Sequence, residues 1–508
     1  MNIIKKIKNN HFVLIIILFV IFLTNCSKSG TNSEQEKVEI PKPSITSINP
    51  TKGIEGTAVT ITGSNFSSDI STISVEFNNK VANEITFASK NQISTKVPFG
   101  AKTGPVSVSI GAETSTNSVN FIVEEAPLPP SITALSSVSE LTEAIITITG
   151  TNFGNNISGI SVSFNDIQAN DIISVSETEI VVKVPVGASN GPVSVTKGIN
   201  TAIGPDFTVK TPINFKIAFL ADSDIGVNAD AVLNLIKNEG SQVVIHPGDL
   251  NYSEIPQDFE NNINGILGAE FPYFYGVGNH DDTVWNGTNG YQSFLEARFQ
   301  RLGIPWKGQL GVLSSFTYQG ITFVSSAPDE FGITTTVAGN YIRDEFDGVN
   351  AIWRIAFWHK NQRLMQIGGK GNEAGWNVYE ESRKAGAIIA TGHEHSYSRT
   401  HEMSSFQNQT ISSTDNTVNL IVDDPLTSID EGRSFAFVSG IGGKSLRDAE
   451  SGLENNPWWA SVSHTGNGSQ HGALFGEFNY NGDTTLAHFY FKDIDGKIVD
   501  DFFVRSND

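Results

Sequence analysis

Apolar and polar residues alternate in short runs over the first part of the chain and fuse into longer apolar blocks over the second. Val59-Thr60-Ile61-Thr62 and Ile73-Ser74-Val75-Glu76-Phe77 show the period of two that a half-buried strand requires. Gly, Asn and Pro clusters separate these runs, which predicts small antiparallel sandwiches rather than helices. The pattern also repeats. "PSITSINP" at Pro43 returns as "PSITALSS" at Pro130, "VTITGSNF" (59–66) as "ITITGTNF" (146–153), and "VPFGAKTGPVSV" (97–108) as "VPVGASNGPVSV" (184–195). The interval is the same for all three pairs, so one domain has been duplicated without a gap.

At about Thr211 the texture changes. "FKIAFLAD" is a nearly continuous apolar strand. In "VNADAVLNLIKNEG" the residues Val227, Ala231, Val232, Leu235 and Ile236 fall at helical spacing and stop at Gly240. "SQVVIHPGD" is a second buried strand. Strand, helix and strand in this order form a β-α-β unit, so the C-terminal domain is α/β with a parallel or mixed sheet.

Polar residues of one chemical kind end the apolar runs of this domain. "KIAFLAD" ends in Asp222, and "VVIHPGDLNY" delivers Asp249 with Tyr252 three residues on. "FPYFYGVGNHDD" delivers Asn279 and His280, "WRIAFWH" ends in His359, and "AIIATGHEH" delivers His393 and His395. Singly, each has a plain reading: a capping Asp, a Gly-Asn-His turn, a satisfied core histidine, a loop pair of imidazoles. Together, at the ends of successive strands, they form one site, because strand ends bring sequence-distant residues to one sheet edge. Carboxylates, imidazoles, an amide oxygen and a phenol suit Fe, Mn or Zn.

Two resemblances follow from these motifs. "ITSINPTKGIEGTAVTITGSNF" and "VPFGAKTGPVSV" resemble the immunoglobulin-like IPT/TIG family over residues 43–123 and again over 130–209. The order D-x-(D/G), G-D-x-x-Y, G-N-H-(D/E), H, G-H-x-H resembles the calcineurin-like metallophosphoesterases, and Tyr252 points to their purple acid phosphatase branch. The implied architecture is multidomain: two all-β immunoglobulin-like sandwiches followed by an α/β/β/α metallophosphoesterase domain over 213–508. Carried across, the resemblance implies that Asp222, Tyr252 and His395 hold one metal ion. Asn279, His359 and His393 hold a second, with Asp249 bridging. The implied pair is Fe(III) with Fe, Mn or Zn, activating a hydroxide for hydrolysis of a phosphate monoester. His280 would contact the phosphate or protonate the leaving oxygen. A phosphodiesterase or nucleotidase on the same core is the neighbouring reading, and a surface binding protein or adhesin with a lapsed metal site is the rival from another class.

The sequence departs from the family in places. Asp224 stands in "LADSDIG" where the purple branch has glycine; an extra ligand, a supporting acceptor and a turn residue are the readings, with the turn preferred. After His359 the chain reads "KNQRLMQIGGKGNEAGW" without further histidine. Lys360, Asn361 and Gln362 with the run 368–371 either line the substrate mouth or form a flexible surface loop. His246 is expected to be packed in its strand, and His464 and His471 to belong to polar loops.

Composition narrows the partners. Net charge is −21 and the pI about 4.9, which repels a long nucleic acid, and no dense Lys/Arg run counters it. None of the seven tryptophans lies in the repeats. This favours a spacer role for them over a sugar platform, with contact to a surface glycan or protein as the remaining possibility. Lys5, Lys6 and Lys8 precede the apolar run 12–23, which is shorter than the roughly 20 residues of a membrane-crossing helix. "LTNC" follows, ending in Cys26, the single cysteine. It resembles the bacterial lipobox and implies a signal peptide over 1–25, lipid attachment at Cys26 and a polar tether over 26–42. The expectation is an exported protein anchored by lipid in the bacterial cell envelope, in the periplasm or on the cell surface. A plain secretory signal with an incidental cysteine is the alternative.

Overall fold

The computed structural model describes residues 41–507, so the signal-like segment, Cys26 and most of the tether lie outside the described residues. Among the described residues, no helix is long and apolar enough to cross a membrane. The chain divides into two compact units at Ala126/Pro127.

The first unit is a sandwich. A sheet of four strands (Ser44–Asn49, Ala58–Ser64, Gln92–Lys96, Ile85–Ala88) faces a sheet built on Ile73–Phe77, Gly104–Ile110 and Val119–Val123. The alternation read in the sequence maps onto the core: Val59, Ile61, Val75 and Phe77 are buried while the residues between them face outward. Phe66 and Phe77 lie inside, as core residues rather than a binding platform.

The second unit begins with the other copy, whose core of Ile146, Ile148, Phe153, Val162 and Phe164 repeats the first position for position. The α/β domain follows. Its elements are β1 (Phe215–Phe219), α1 (Val227–Asn238), β2 (Val243–His246), α2 (Pro256–Ile266), β3 (Tyr273–Tyr275), α3 (Tyr291–Leu302), β4 (Lys307–Gln309), β5 (Leu313–Tyr318) and β6 (Ile321–Ser325). Then come α4 (Thr335–Phe346), β7 (Trp353–Trp358), α5 (Trp376–Lys384), β8 (Ile388–Thr391), β9 (Tyr397–Thr400), β10 (Thr417–Leu420), β11 (Ala436–Ser439), β12 (Trp459–Ser463), β13 (Gly472–Phe478), β14 (Leu486–Asp493) and β15 (Ile498–Ser506). One mixed sheet runs β3-β2-β1-β13-β14-β15-β10, and a second runs β4-β5-β6-β7-β8-β11-β9-β12.

Side chains sort by strand parity. On β6, β7 and β8, Phe323, Ile355, Phe357, Ile388 and Ala390 enter the core shared by the two sheets. Val324, Ala356, Trp358 and Ile389 point the other way, onto α4 and α5. Helices α1 to α3 contribute Val232, Ile236, Phe259, Ile263 and Phe299 to the core on the side of the first sheet. The strands are apolar on both faces because both are covered, and the result is the expected α/β/β/α layering.

The second sandwich docks at a defined end of this domain. Gly187 lies against Pro305, Thr142 donates to Gln319 Oε1 at 3.1 Å, and Gly320 abuts Val209. Gly320 and Asn350, whose carbonyl accepts from the Asn190 amide, precede the first residues of the parallel pair β6 and β7. His359 follows the far end of β7. The sandwich therefore sits at the opposite edge of the sheet from the strand-end residues, roughly 20 Å away at 3.3 Å per residue. It cannot form a wall of that site.

Candidate metal centre

The strands deliver their terminal residues to one edge. β1 continues through Leu220 and Ala221 into Asp222; β2 leads to Asp249, β3 to Asn279 and His280, β7 to His359, and β8 to His393 and His395. Three of these residues turn the chain sharply: φ is 56° at Asp222, 54° at Asp249 and 74° at His393. Aspartate tolerates the left-handed region. For the imidazole-bearing His393 it is an uncommon conformation, of the kind concentrated at functional sites. Gly392 precedes it because a Cβ there would stand 2.6 Å from Ala221 Cβ and 3.1 Å from His359 Nδ1.

Two groups of donor atoms result. Tyr252 Oη lies 3.0 Å from Asp222 Oδ1 and 3.0 Å from His395 Nε2, and the last two are 3.4 Å apart. Beside them, Asp249, His359 and His393 offer ligand atoms that all lie within 4.8 Å of one another. His359 Nε2 is 3.3 Å from Asp249 Oδ1 and 3.1 Å from His393 Nδ1. Asn279 Oδ1 is buried with no hydrogen-bond partner, an amide oxygen left waiting for an electrophile. His280 is exposed at the rim; its ring lies 4.6 Å from the Tyr252 ring, and its backbone N–H donates to Asp249 Oδ1 at 3.0 Å. Asp222, Asp249, Tyr252, His359, His393 and His395 are thus brought together, and Asn279 and His280 lie on the turn whose His280 N–H meets Asp249.

The electrostatics are those of buried carboxylates and imidazoles in close contact. Burial opposes ionisation of Asp222, but the His395 hydrogen bond and the His359 and His395 charges hold its carboxyl well below the usual range. Burial likewise opposes Asp249, yet His359 draws it down to about 2. Burial lowers His393 to about 4, whereas the Asp249 and Asp222 carboxylates raise His359 against the effect of its burial. Burial and the Asp222 and Asp249 charges push the Tyr252 phenol far up. Ionised Asp222 and Asp249 and a neutral His393 are the states that metal binding requires, whereas the same carboxylates favour the protonated forms of His359 and Tyr252, whose protons a bound cation would displace.

The remaining residues fall into place around this core. Asp281, unassigned from sequence although it closes the G-N-H-(D/E) motif, is fully buried. Its Oδ2 accepts from the N–H groups of Asp249 and Gly278, both at 2.8 Å, and its Oδ1 from Leu250 N–H at 2.9 Å. It ties the turn bearing Asp249 to the turn bearing Asn279. Asp224 occupies a turn (φ 64°) and pairs with Lys444 at 2.9 Å; the Lys444 ammonium lies 3.9 Å from the Tyr252 ring centre. His246 is packed inside β2 between Phe259 and Tyr273. His464 pairs with Asp448 at 2.6 Å, and His471 faces the Lys444 carbonyl; neither joins the donor groups.

Residues 360–362 of the segment after His359 are held by defined contacts. Asn361 is buried, donates to Gly392 O at 2.6 Å and accepts from Tyr379 Oη at 2.7 Å. The Gln362 amide oxygen accepts from Gly375 N–H at 3.0 Å, and Lys360 pairs with Glu330 at 2.7 Å. Asn361 fixes the turn before His393, and Lys360 and Gln362 are held by contacts of their own, while the run 368–371 reaches the cluster through Lys370, 3.0 Å from His393 Nδ1. Sequence gave no sign of this because buried amides carry no periodicity.

The donor set fits metal ions: two adjoining groups of O and N ligands, an orphaned amide oxygen, and Glu373 Oε2 placed 3.0 Å from the outer nitrogen of His393. Asp222, Asp249, Tyr252, Asn279, His359, His393 and His395 are the residues that would hold them. A sheet-edge cluster of this kind on a layered α/β/β/α core is suited to holding metal ions. Family models then place the chain: the IPT/TIG domain matches residues 43–123 and 130–217, and the calcineurin-like phosphoesterase matches residues 216–397. The chain carries two IPT/TIG domains followed by a calcineurin-like phosphoesterase domain, and that domain is one of phosphoester hydrolysis and divalent metal ions. No curated protein matches the chain.

Solved structures with similarity include purple acid phosphatase PPD1 from yellow lupin (Lupinus luteus) seeds, at 15% identity and TM-score 0.45, covering 90% of this chain and 95% of that one. PhoD aligns at 12% identity and TM-score 0.34, over 72% of this chain and 91% of its own. The surface glycan-binding protein PbSGBP-B from Prevotella bryantii aligns at 16% identity and TM-score 0.17, over 34% and 45%.

Proposed function

We propose that the protein hydrolyses phosphate monoesters at a centre of two metal ions, Fe(III) paired with Fe, Mn or Zn. Asp222, Tyr252 and His395 would hold one ion, Asn279, His359 and His393 the other, and Asp249 both. When bound, such a pair supplies positive charge to the phosphoryl oxygens and acidifies water for attack on phosphorus. The chain's own residues do the rest. Asp281 holds the Asp249 turn in place, Asn361 holds the turn before His393, and Glu373 orients the His393 ring. His280, exposed at the rim, is the residue positioned to meet the phosphate or to give a proton to the leaving oxygen. The observation that carries the reading is the Tyr252 hydroxyl, 3.0 Å from both an aspartate oxygen and a histidine nitrogen of the cluster. A phenol in that position is a ligand suited to a trivalent ion.

The protein is exported and attached to the cell envelope through lipid on Cys26, with the IPT/TIG domains as spacers that hold the catalytic domain away from the membrane and contact a surface glycan or protein. The substrate is a small phosphate ester, and nucleic acid is not a partner.

The test reconstitutes the protein from Lys28 onward with Fe, Mn or Zn and compares an aryl phosphomonoester with the matching diester, using Asp249→Ala as control. The reading expects metal-dependent turnover that favours the monoester and disappears in the variant. A faster diester reaction would make the protein a phosphodiesterase on the same core. Bound metal in a folded domain without turnover of either ester would favour a lapsed site serving binding.

A further inference from the structure

Residues 366–375, "QIGGKGNEAG", form a loop beside the centre that the hydrolytic scheme uses only through Glu373. The loop is pinned at both ends. Gly368 lies so close to Glu394 that a Cβ would stand 2.0 Å from its carboxyl carbon, and Ile367 O accepts from Glu450 N–H at 2.9 Å. At the other end Glu373 N–H donates to Asn361 O at 3.0 Å, and its carboxylate faces His393 Nε2 at 3.0 Å. Between these anchors Lys370 turns inward. Its ammonium lies 3.0 Å from His393 Nδ1 and donates to the His393 carbonyl.

The charges around Lys370 make it unlike its neighbours. Lys360 pairs with Glu330 at 2.7 Å, Arg363 with Glu450 at 2.7 Å, Lys444 with Asp224 at 2.9 Å and Arg447 with Glu394 at 4.0 Å. Among the described residues, Lys370 is the one cation at this edge with no carboxylate in ion-pair distance. Its partner is instead an imidazole nitrogen of the donor cluster. A metal ion on His393 Nδ1 and an ammonium on the same nitrogen exclude each other, so loading the centre takes that partner away. The loop cannot retreat far, because Gly368 and Glu373 hold it. A half-buried ammonium then needs an anion, and Lys370 lies against the donor cluster at which, on the two-ion reading, a phosphoryl group would bind.

Resting on the two-ion reading above, we propose that Lys370 is a substrate-binding residue whose ammonium holds a non-bridging oxygen of the phosphoryl group. Lysine serves here as a compact point charge with rotatable donors. A third positive centre beside two metal ions favours a doubly charged monoester over a singly charged diester, so the residue also contributes to substrate class.

The test uses the full-length protein, wild type, Lys370→Met and Lys370→Arg, each loaded with metal. Metal content is measured, inorganic phosphate binding is followed by calorimetry, and KM is measured for an aryl phosphomonoester. Lys370→Met is expected to keep the wild-type metal content while phosphate affinity falls roughly tenfold to a hundredfold, the range for one lost hydrogen bond to a charged group. KM rises in parallel, and Lys370→Arg recovers most of both. Unchanged phosphate affinity in Lys370→Met overturns the proposal. Metal content that rises in Lys370→Met while phosphate affinity holds also overturns it, because the ammonium would then be standing in for an ion. A loaded, active wild type with an indifferent Lys370→Met refutes only this inference; a wild type that takes up no metal refutes the two-ion reading and this inference with it.

Discussion

Asp281 touches no expected substrate position, yet its replacement should cripple the centre. Its carboxylate accepts three backbone N–H groups, from Asp249, Gly278 and Leu250, at 2.8 to 2.9 Å in a fully buried setting. Burial, together with the Asp249 charge, pushes its pKa up, and the Leu250 and Gly278 N–H bonds oppose that shift. Hydrogen bonds to a charged acceptor contribute about 1.5–3 kcal/mol each, and removing the acceptor leaves the buried donors unsatisfied. Three such bonds do not add fully, because the turns relax and the desolvation of the carboxylate is recovered. Asp281→Ala is therefore expected to destabilise the domain by about 3–5 kcal/mol. Asp281→Asn keeps the volume but has one acceptor oxygen, so its amide NH2 must face an N–H donor; about 1.5–3 kcal/mol is expected. Denaturant unfolding followed by tryptophan fluorescence reads this selectively, since all seven tryptophans lie in the C-terminal domain. Metal uptake should fall with stability in both variants. Asp281→Ala within about 0.5 kcal/mol of wild type, the range of an ordinary surface change, with unchanged metal uptake, would refute the role.

Three further changes test other parts of the structure. Gly392→Ala places a methyl group 3.0 Å from Asp222 Oδ2 and 3.1 Å from His359 Nδ1, so metal affinity should fall by about tenfold or more, read by competition with a chelator. Asp500→Ala leaves Arg399 buried without its bidentate partner at 2.6 and 2.9 Å and removes the acceptor of Tyr397 Oη; a stability loss of about 3–5 kcal/mol is expected, and a loss below 1 kcal/mol would contradict a buried pair. His246 is lowered by burial from 6.5 to about 3, so the unfolded chain binds its proton first. Its contribution to stability is complete above pH 6.5 and is lost as pH falls towards 3, at roughly 1.4 kcal/mol per pH unit. His246→Phe should flatten that part of the stability curve, and parallel curves for the two proteins would show that His246 is not the buried neutral group described.

Much of this site was legible because its chemistry is punctuated by strands. Apolar runs that stop at Asp222, Asp249, His359 and His393 announce a sheet edge, and the sheet's geometry does the gathering. The sandwiches were legible for a similar reason: alternation fixes which face is buried, so Val59, Ile61, Val75 and Phe77 are inside. What escaped are residues whose role depends on contacts distant in sequence. Asp281 lies within a recognised motif, but its three backbone partners appear only when two turns meet. Asn361 and Gln362 look like loop residues until their amides are seen pinning Gly392 and Gly375. Lys370 and Glu373 sit in a glycine-rich stretch with no periodicity, and their partner, His393, belongs to another loop. The docking edge of the second sandwich depends on Gly187 against Pro305 and Asn190 against Asn350, pairings that composition cannot announce.

The central claim is that the strand-end cluster is a two-ion centre for phosphate-ester hydrolysis. Metal-free protein titrated with metal while hydrolysis of an aryl phosphomonoester is followed tests it most directly. The account predicts no turnover without metal, a rise on addition, and saturation at two ions per chain. Turnover in fully metal-free protein, or none after two ions have bound to the folded domain, would contradict it.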